Sequence, residues 1–176
     1  MHKDIDRILL SEEEIVNRCK ELGKQISMDY AGKRLVLVGL LKGSVPFMSE
    51  LMKRIECDTE IDFMDVSSYA GTESQGDVRI VKDLDRSPKD DDILIVEDIV
   101  DTGRTLKTVK KLLLSKGASS VKIVTLLDKP DRRVVEIEPD YCGFIVPNEF
   151  VVGYGLDFNQ KYRNLPYIGV LKPECY

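Results

Sequence analysis

Histidine is nearly absent from this sequence, and the single one, His2, lies beside the amino terminus. Hydrolysis by a Ser-His-Asp triad, proteolysis by a Cys-His pair and histidine-rich zinc sites all need an imidazole within the folded site. A lone histidine at this position argues against all three. We therefore expect any acid–base chemistry to come from carboxylates, lysine or tyrosine.

The chain also lacks long apolar runs and grouped cysteines. No apolar stretch approaches the roughly 20 residues of a membrane span, and residues 1–7 contain no apolar signal region. We therefore expect a cytoplasmic protein with no membrane partner. The four cysteines have no metal-ligand spacing, so free thiols are expected in a reducing compartment; they are Cys19, Cys57, Cys142 and Cys175.

Positive charge is not in excess either. The 26 lysines and arginines against 31 acids give a net charge of −5, which argues against a nucleic-acid partner.

A chain of 176 residues is long enough for a sizeable core. Because no repeat, low-complexity tract or linker divides it, we predict one domain over residues 1–176.

The segment of residues 92–106 organises the expected site. Its apolar run, residues 93–96, is typical of a buried strand in a parallel sheet. Leu106, Val109 and Leu113 follow at helical spacing, and Gly117 marks the end of that helix. We place the acids that follow the strand in a turn and Thr-Gly-Arg-Thr, residues 102–105, in the first helical turn.

That first turn is expected to bind a phosphate. Helix starts usually attract Asp or Glu, yet residues 102–105 include none. Free amides, two hydroxyls and a glycine suit a phosphate, whereas Glu97 and Asp98 would repel one and suit sugar hydroxyls. The combination predicts a ribose 5-phosphate site. The alternative is a buried strand that leaves through an Asx turn into a capped helix.

Three other stretches leave a structural and a functional interpretation open. After a predicted strand at residues 35–41, Lys42-Gly43-Ser44 is either a left-handed turn with a serine cap or a ligand loop. The cluster at residues 128–133 is either an exposed loop or part of the ligand edge of an α/β sheet. The polar residues 70–77 are expected at the tip of a hairpin. They could be a disordered connection, or a lid that closes over the site.

Residues 96–106 resemble the phosphoribosyl-diphosphate signature of the phosphoribosyltransferases, with an apolar strand, two acids, two apolar residues and Asp-Thr-Gly-x-Thr. Leu-Leu-Lys-Gly-Ser at 40–44 and Phe-Val-Val-Gly-Tyr at 150–154 are similar to the pyrophosphate loop and purine-binding hood of the hypoxanthine-guanine members. The resemblance runs from about residue 35 to residue 170, and the motifs appear in family order.

The resemblance implies the type I phosphoribosyltransferase fold, an α/β fold whose mainly parallel sheet is flanked by helices. A small hood would be built from N-terminal residues and roughly residues 130–176. A mobile lid over about residues 69–78 would be closed by Ser68 and Tyr69. The implied reaction transfers a phosphoribosyl group to a 6-oxopurine, hypoxanthine or guanine, with Mg²⁺, in a homodimer or homotetramer.

The resemblance also implies a role for each site residue. Glu97 and Asp98 would hold the ribose hydroxyls and approach the Mg²⁺ bound there, and Asp157 would help to hold a second Mg²⁺, mostly through waters. The 5-phosphate would lie on Asp101, Thr102, Gly103, Arg104 and Thr105. The pyrophosphate would face Lys42, Gly43 and Arg163, with a cis peptide bond before Lys42. The purine would lie against Lys129, Phe150, Val151 and Asp157, with Asp101 exchanging a proton with N7 and Lys129 contacting N7 and O6.

Two other functions remain as alternatives. A regulatory protein with this fold would sense phosphoribosyl diphosphate or purines without turnover, and would need a basic face or a DNA-binding domain. An orotate- or adenine-specific transferase is disfavoured by the motifs at 40–44 and 150–154. Pro130, directly after Lys129, departs from relatives and affects the expected geometry of the base-binding loop.

Overall fold

The computed structural model describes residues 1–68 and 78–176. Its strands and helices are β1 Ile5–Leu10, α1 Glu12–Asp29, β2 Arg34–Leu41, α2 Val45–Met52, β3 Asp58–Ser68, β4 Val78–Lys82, β5 Asp92–Val100, α3 Arg104–Ser115, β6 Ser120–Asp128, β7 Tyr141–Ile145, β8 Val151–Val152 and β9 Ile168–Leu171. Short 3-10 helices cover Pro130–Arg132 and Pro173–Cys175. Most of the expected lid, Tyr69 included, lies outside the described residues; Ser68 ends β3 and Val78 begins β4.

A six-stranded sheet forms the centre of the fold, in the order β4-β3-β2-β5-β6-β7. All neighbouring strands are parallel except the edge pair β3–β4, which is an antiparallel hairpin. The central strand β5 is fully buried at residues 93–96, as expected where helices cover both faces. Helices α1 and α2 pack with one core cluster and α3 with the other. The expected α/β class with a mainly parallel sheet is confirmed.

A second, smaller sheet joins the two ends of the chain. Its order is β1-β9-β8, and both pairings are antiparallel. Such a piece built from both ends was expected for the hood. Strand β7 lies within the range assigned to the hood from sequence, but it pairs with β6 and completes the large sheet.

Local sequence signals set the helix boundaries. Ser11 accepts a hydrogen bond from the Glu14 amide, and the Glu14 carboxylate accepts one from the Ser11 amide, which is the capping box visible in the sequence. Helix α3 ends at Ser115, and Gly117 follows it at φ +94°. None of the helices in residues 1–68 and 78–176 has the length and apolar character that crossing a bilayer requires.

Candidate active site

A cleft of about 290 Å³ lies at the carboxyl ends of β2 and β5. It is lined by the loop after β2, by the end of β5 with the following loop, and by one arginine from the region of the small sheet. The expected site residues in this lining are Lys42, Gly43, Glu97, Asp98, Asp101, Thr102, Gly103, Thr105 and Arg163. Arg104 is exposed and does not belong to the lining. The structure thus brings the expected phosphate, ribose and pyrophosphate residues together.

Glu97 and Asp98 lie within strand β5, not in the turn expected from the sequence. Strand β5 continues to Val100 because β6 continues beside it, with Glu97 opposite Thr125 and Val100 opposite Asp128. The turn therefore begins at Asp101.

The two acids form a half-buried pair. Burial raises the pKa of Glu97, and the adjacent Asp98 carboxylate raises that pKa further. Burial also raises the pKa of Asp98, although its hydrogen bonds with Glu97 and with the Ile99 amide oppose the shift. Within residues 1–68 and 78–176, neither carboxylate forms an ion pair. A cation bound beside them would offset the repulsion between the two buried carboxylates. Their donors are all oxygen atoms, which suit a hard ion such as Mg²⁺.

The loop after β5 presents free backbone amides. Helix α3 begins at Arg104, and Gly103 precedes it at φ +80°. Thr102 and Gly103 therefore lie before the helix, which corrects the expectation that both belong to its first turn, because a left-handed residue cannot continue a right-handed helix. The first turn holds no acid, as expected. The amides of residues 102–105 donate to no acceptor in the described part of the chain.

The loop after β2 packs directly on the acid pair. The Leu41–Lys42 peptide bond is cis, as the resemblance implied. A Cβ at Gly43 would lie 1.7 Å from Oδ2 of Asp98, so only glycine allows this approach. Ser44 occupies the N-cap position of α2, has φ −68° and makes no capping hydrogen bond through its side chain. None of residues 42–44 has a positive φ, so the turn is not left-handed. The alternative of a left-handed turn with a capping serine is therefore wrong.

Arg163 connects the cleft to the loop that carries Asp157. Its Nη2 lies 2.8 Å from Oδ1 of Asp157, and its Nη1 donates to the Gly155 carbonyl at 2.6 Å. Asp157 also accepts a hydrogen bond from the Gln160 amide at 2.7 Å, as a turn acid does. In the described residues no group of three or more His, Cys, Asp or Glu could hold a metal ion. Asp157 is thus not gathered with Glu97 and Asp98 into one ligand cluster.

The expected purine residues lie around the end of β6. Lys129 follows that strand with 9% of its surface exposed, and burial lowers the pKa of its ammonium. Its Nζ donates to the Glu149 carbonyl at 2.6 Å, directly before Phe150. Phe150 is 37% exposed, and Tyr176 stacks on it with ring centroids 4.7 Å apart. Val151 is buried and pairs with Val170, so its side chain serves packing.

Two arginines of the site, Arg132 and Arg133, have no role in the resemblance, which involves only Lys129 of the cluster at 128–133. The Nε of Arg132 lies 2.8 Å from Oδ1 of Asp101. Arg133 donates to the backbone carbonyl of Asp101 at 2.6 Å. Pro130 begins the 3-10 helix that sets this geometry. The available signal was a pair of adjacent arginines near the carboxyl end of a predicted strand.

The family model described as the phosphoribosyl transferase domain matches residues 7–159. The chain belongs to the phosphoribosyltransferase family. The hypoxanthine-guanine phosphoribosyltransferase of Lactococcus lactis subsp. lactis (strain IL1403) is 59% identical to it over 177 aligned residues, which cover 100% of this chain and 96% of the relative. The enzyme of the same name from Staphylococcus aureus (strain Mu50) is 60% identical, with 100% and 99% covered.

Solved structures agree with this assignment. A crystal structure of a hypoxanthine phosphoribosyltransferase from Staphylococcus aureus superposes with a TM-score of 0.97 at 60% identity, covering 100% of this chain and 96% of that one. The chain therefore belongs with the hypoxanthine-guanine phosphoribosyltransferases, which are pentosyltransferases. The family model and these relatives confirm the resemblance that the motifs at 40–44, 96–106 and 150–154 indicated, and they confirm the fold class that it implied.

Proposed function

We propose that the protein transfers the 5-phosphoribosyl group from phosphoribosyl diphosphate to N9 of hypoxanthine or guanine. The products are IMP or GMP and pyrophosphate, in purine salvage. The observation that carries this proposal is the convergence of four kinds of group around one cleft. Three of them belong to the cleft: the free amides of the loop after β5, the acid pair in β5, and the cations Lys42 and Arg163. The fourth is Lys129 beside the cleft, whose amide bonds to the Val100 carbonyl and whose Nζ bonds to the carbonyl before Phe150.

Each group suits one part of the substrates. The amides of the loop, together with the hydroxyls of Thr102 and Thr105, would hold the 5-phosphate. Glu97 and Asp98 would accept hydrogen bonds from the ribose hydroxyls. Lys42 and Arg163 line the same cleft and supply positive charge for the pyrophosphate.

The reaction breaks the C1–O bond to pyrophosphate and forms the C1–N9 bond to the purine. Positive charge develops on the ribose and negative charge on the leaving group, so fixed donors around the pyrophosphate lower the barrier. Asp101 accepts the proton that N7 of the purine releases. Lys129 donates to O6, and Phe150 stacks on the base.

Magnesium fits the acid pair by the chemistry of its donors, since Glu97 and Asp98 offer only carboxylate oxygens. When bound, Mg²⁺ neutralises the negative charge of the diphosphate. Asp157 would help to hold a second ion, mostly through water molecules. We further propose that the protein works in the cytoplasm as a homodimer or homotetramer.

One assay tests the proposed function. The purified protein is incubated with phosphoribosyl diphosphate, Mg²⁺ and each purine in turn, and the formation of nucleoside monophosphate and pyrophosphate is measured. Turnover with hypoxanthine and guanine is the expected result. Binding of phosphoribosyl diphosphate without turnover of any purine would instead support a regulatory protein with this fold.

A further inference from the structure

The carbonyl groups at the base of the phosphate loop all bond to one neighbouring segment, residues 129–134, which we call the buttress segment. The Val100 carbonyl accepts from the Lys129 amide at 2.9 Å and from Nη1 of Arg133 at 3.2 Å. The Asp101 carbonyl accepts from the same Nη1 at 2.6 Å. The Thr102 carbonyl accepts from the Val134 amide at 3.1 Å. Three successive peptide groups are therefore held in one orientation.

The direction of each of these carbonyls fixes the direction of the amide that follows it. In a planar trans peptide, the N–H of a residue points opposite to the C=O of the residue before it. Because the three carbonyls face the buttress segment, the amides of Asp101, Thr102 and Gly103 face away from it. These three residues line the cleft. Their N–H groups are therefore turned toward the cleft, where the proposed function puts the 5-phosphate, and such a concave run of amides binds anions.

Arg133 does not line the cleft, and each of its three guanidinium nitrogens already bonds to an acceptor within the protein. Its side chain is only 9% exposed and is ion-paired with the buried carboxylate of Asp128. Its Nε donates to the Ile137 carbonyl at 2.9 Å. The segment also touches the loop directly, since a Cβ at Gly103 would lie 2.9 Å from Cδ of Arg133. Any effect of this arginine on the reaction must therefore pass through the backbone of the loop.

We propose that Arg133 is a positioning residue for the 5-phosphate. By holding the carbonyls of Val100 and Asp101, it fixes the amides that follow them in the orientation that the phosphate needs before the substrate arrives. The proposal rests on the proposed function, because it assigns this loop to the phosphoribosyl group. It predicts that loss of Arg133 weakens binding of phosphorylated ligands in particular.

The test compares two ligands that differ only in the phosphate. Dissociation constants of IMP and inosine are measured by titration calorimetry for the wild type and for Arg133→Lys. Lysine replaces the three guanidinium nitrogens by one, so an ammonium that stays with Asp128 at the position of Nη2 gives up the position of Nη1 and its bonds to the two loop carbonyls. We expect IMP to bind about tenfold more weakly or worse, the effect of one charge-assisted hydrogen bond. Inosine binding should be unchanged, so the ratio of the two affinities falls.

Arg18→Lys is the matched control. Arg18 also donates to two backbone carbonyls, those of Cys142 at 2.9 Å and Gly143 at 3.0 Å, and it does not line the cleft. If Arg133 contributed only to general stability, neither Arg133→Lys nor Arg18→Lys would change the ratio of IMP affinity to inosine affinity. The proposal requires that only Arg133→Lys lowers the ratio of IMP to inosine affinity.

A second variant covers the case in which Arg133→Lys does not fold. Val134→Pro removes the amide that bonds to the Thr102 carbonyl and leaves the buried ion pair intact. Arg133 has φ −65° and ψ 126°, a conformation that a following proline allows. Val134→Pro should therefore fold, and it should lower the ratio of IMP affinity to inosine affinity as well. A wild type that does not prefer IMP to inosine would refute the proposed function. An unchanged preference in folded Arg133→Lys would refute the role of Arg133 and leave the proposed function standing. If only Val134→Pro folds, an unchanged preference would show that bonds to the loop carbonyls do not orient the amides for the phosphate, which also refutes the role of Arg133.

Discussion

Arg132 donates to both carboxylate oxygens of Asp101, from Nε to Oδ1 at 2.8 Å and from Nη2 to Oδ2 at 3.4 Å. The group that we propose as the proton acceptor is therefore paired with a guanidinium before any purine arrives. Asp101 must exchange at least part of this pair for a contact with N7. The cost of that exchange depends on how strong the pair is in water.

The pair is exposed, with 47% of the Arg132 side chain and 41% of the Asp101 side chain accessible. Exposed ion pairs contribute about 0–1 kcal/mol, which corresponds to at most about a fivefold change in rate. We therefore expect Arg132→Ala to change kcat by less than about fivefold. Steady-state kinetics with hypoxanthine measure this. A loss of 100-fold would show that Arg132 itself takes part in the chemistry.

Removal of the Asp101 carboxylate should have a much larger effect. Asp101→Asn keeps the shape of the side chain but cannot accept a proton, and general acid–base groups contribute about 10²–10⁴-fold. We expect kcat to fall by that amount while the affinity for phosphoribosyl diphosphate stays similar. Asp131→Asn, at an exposed position of the 3-10 helix Pro130–Arg132, is the control and should be near wild type. Equal turnover in Asp101→Asn and the wild type would contradict the assignment.

Lys129 is expected to select 6-oxopurines. Its ammonium only donates hydrogen bonds, so it can satisfy the carbonyl O6 but faces a donor in the amino group of adenine. Sites that bond a substrate group can reject an analogue lacking it by about 10⁴–10⁵-fold. Negligible use of adenine is therefore expected. Lys129→Ala should lose most of its kcat/KM for hypoxanthine and gain little for adenine.

Competition kinetics with the two bases measure this selectivity. Use of adenine by the wild type within about tenfold of hypoxanthine, a difference of only about 1.4 kcal/mol, would show that another residue selects the base.

The same lysine makes binding of the base depend on pH. Burial lowers its pKa below the ordinary value of 10.5, although the charge of Asp101 opposes the shift. The folded protein thus loses the ammonium proton at a lower pH than a free lysine does. Hypoxanthine binding should be complete below this lowered pKa and weaken as the pH rises through it. We expect KM for hypoxanthine to rise on the alkaline side with an apparent pKa below 10.5, a rise that Lys129→Arg should not show.

Neutralising one acid of the β5 pair should stabilise the protein without ligands. Burial and the adjacent Asp98 both disfavour the charged form of Glu97, so Glu97→Gln removes an unfavourable interaction. The melting temperature should rise by about 2–4 °C for each kcal/mol gained in a chain of this size. The additional rise produced by Mg²⁺ with phosphoribosyl diphosphate should be smaller than in the wild type. Glu174→Gln, at an exposed position, should change neither value.

The local elements could be predicted from the sequence because short-range physical rules set them. The apolar run at residues 93–96 has to be buried on both faces, the Ser11–Glu14 pair satisfies its own amides, and Gly117 takes a left-handed conformation after a helix. The absence of acids at residues 102–105 likewise indicated an anion site before any contact was known. The motif residues of the cleft could also be predicted, because they stand next to one another in the sequence and can be recognised as short motifs.

Other features depend on partners that are distant along the chain. Strand β5 extends through Glu97 and Asp98 only because β6 runs beside it as far as Asp128. Arg133 reaches the carbonyl of Asp101, 32 positions earlier, and no local pattern specifies such a contact. Tertiary packing decides which carbonyls a buried guanidinium meets, because a buried donor must find an acceptor among whatever groups the fold places around it. The sequence alone therefore determined which residues could bind a phosphate, and the tertiary structure decided how their amides are aimed.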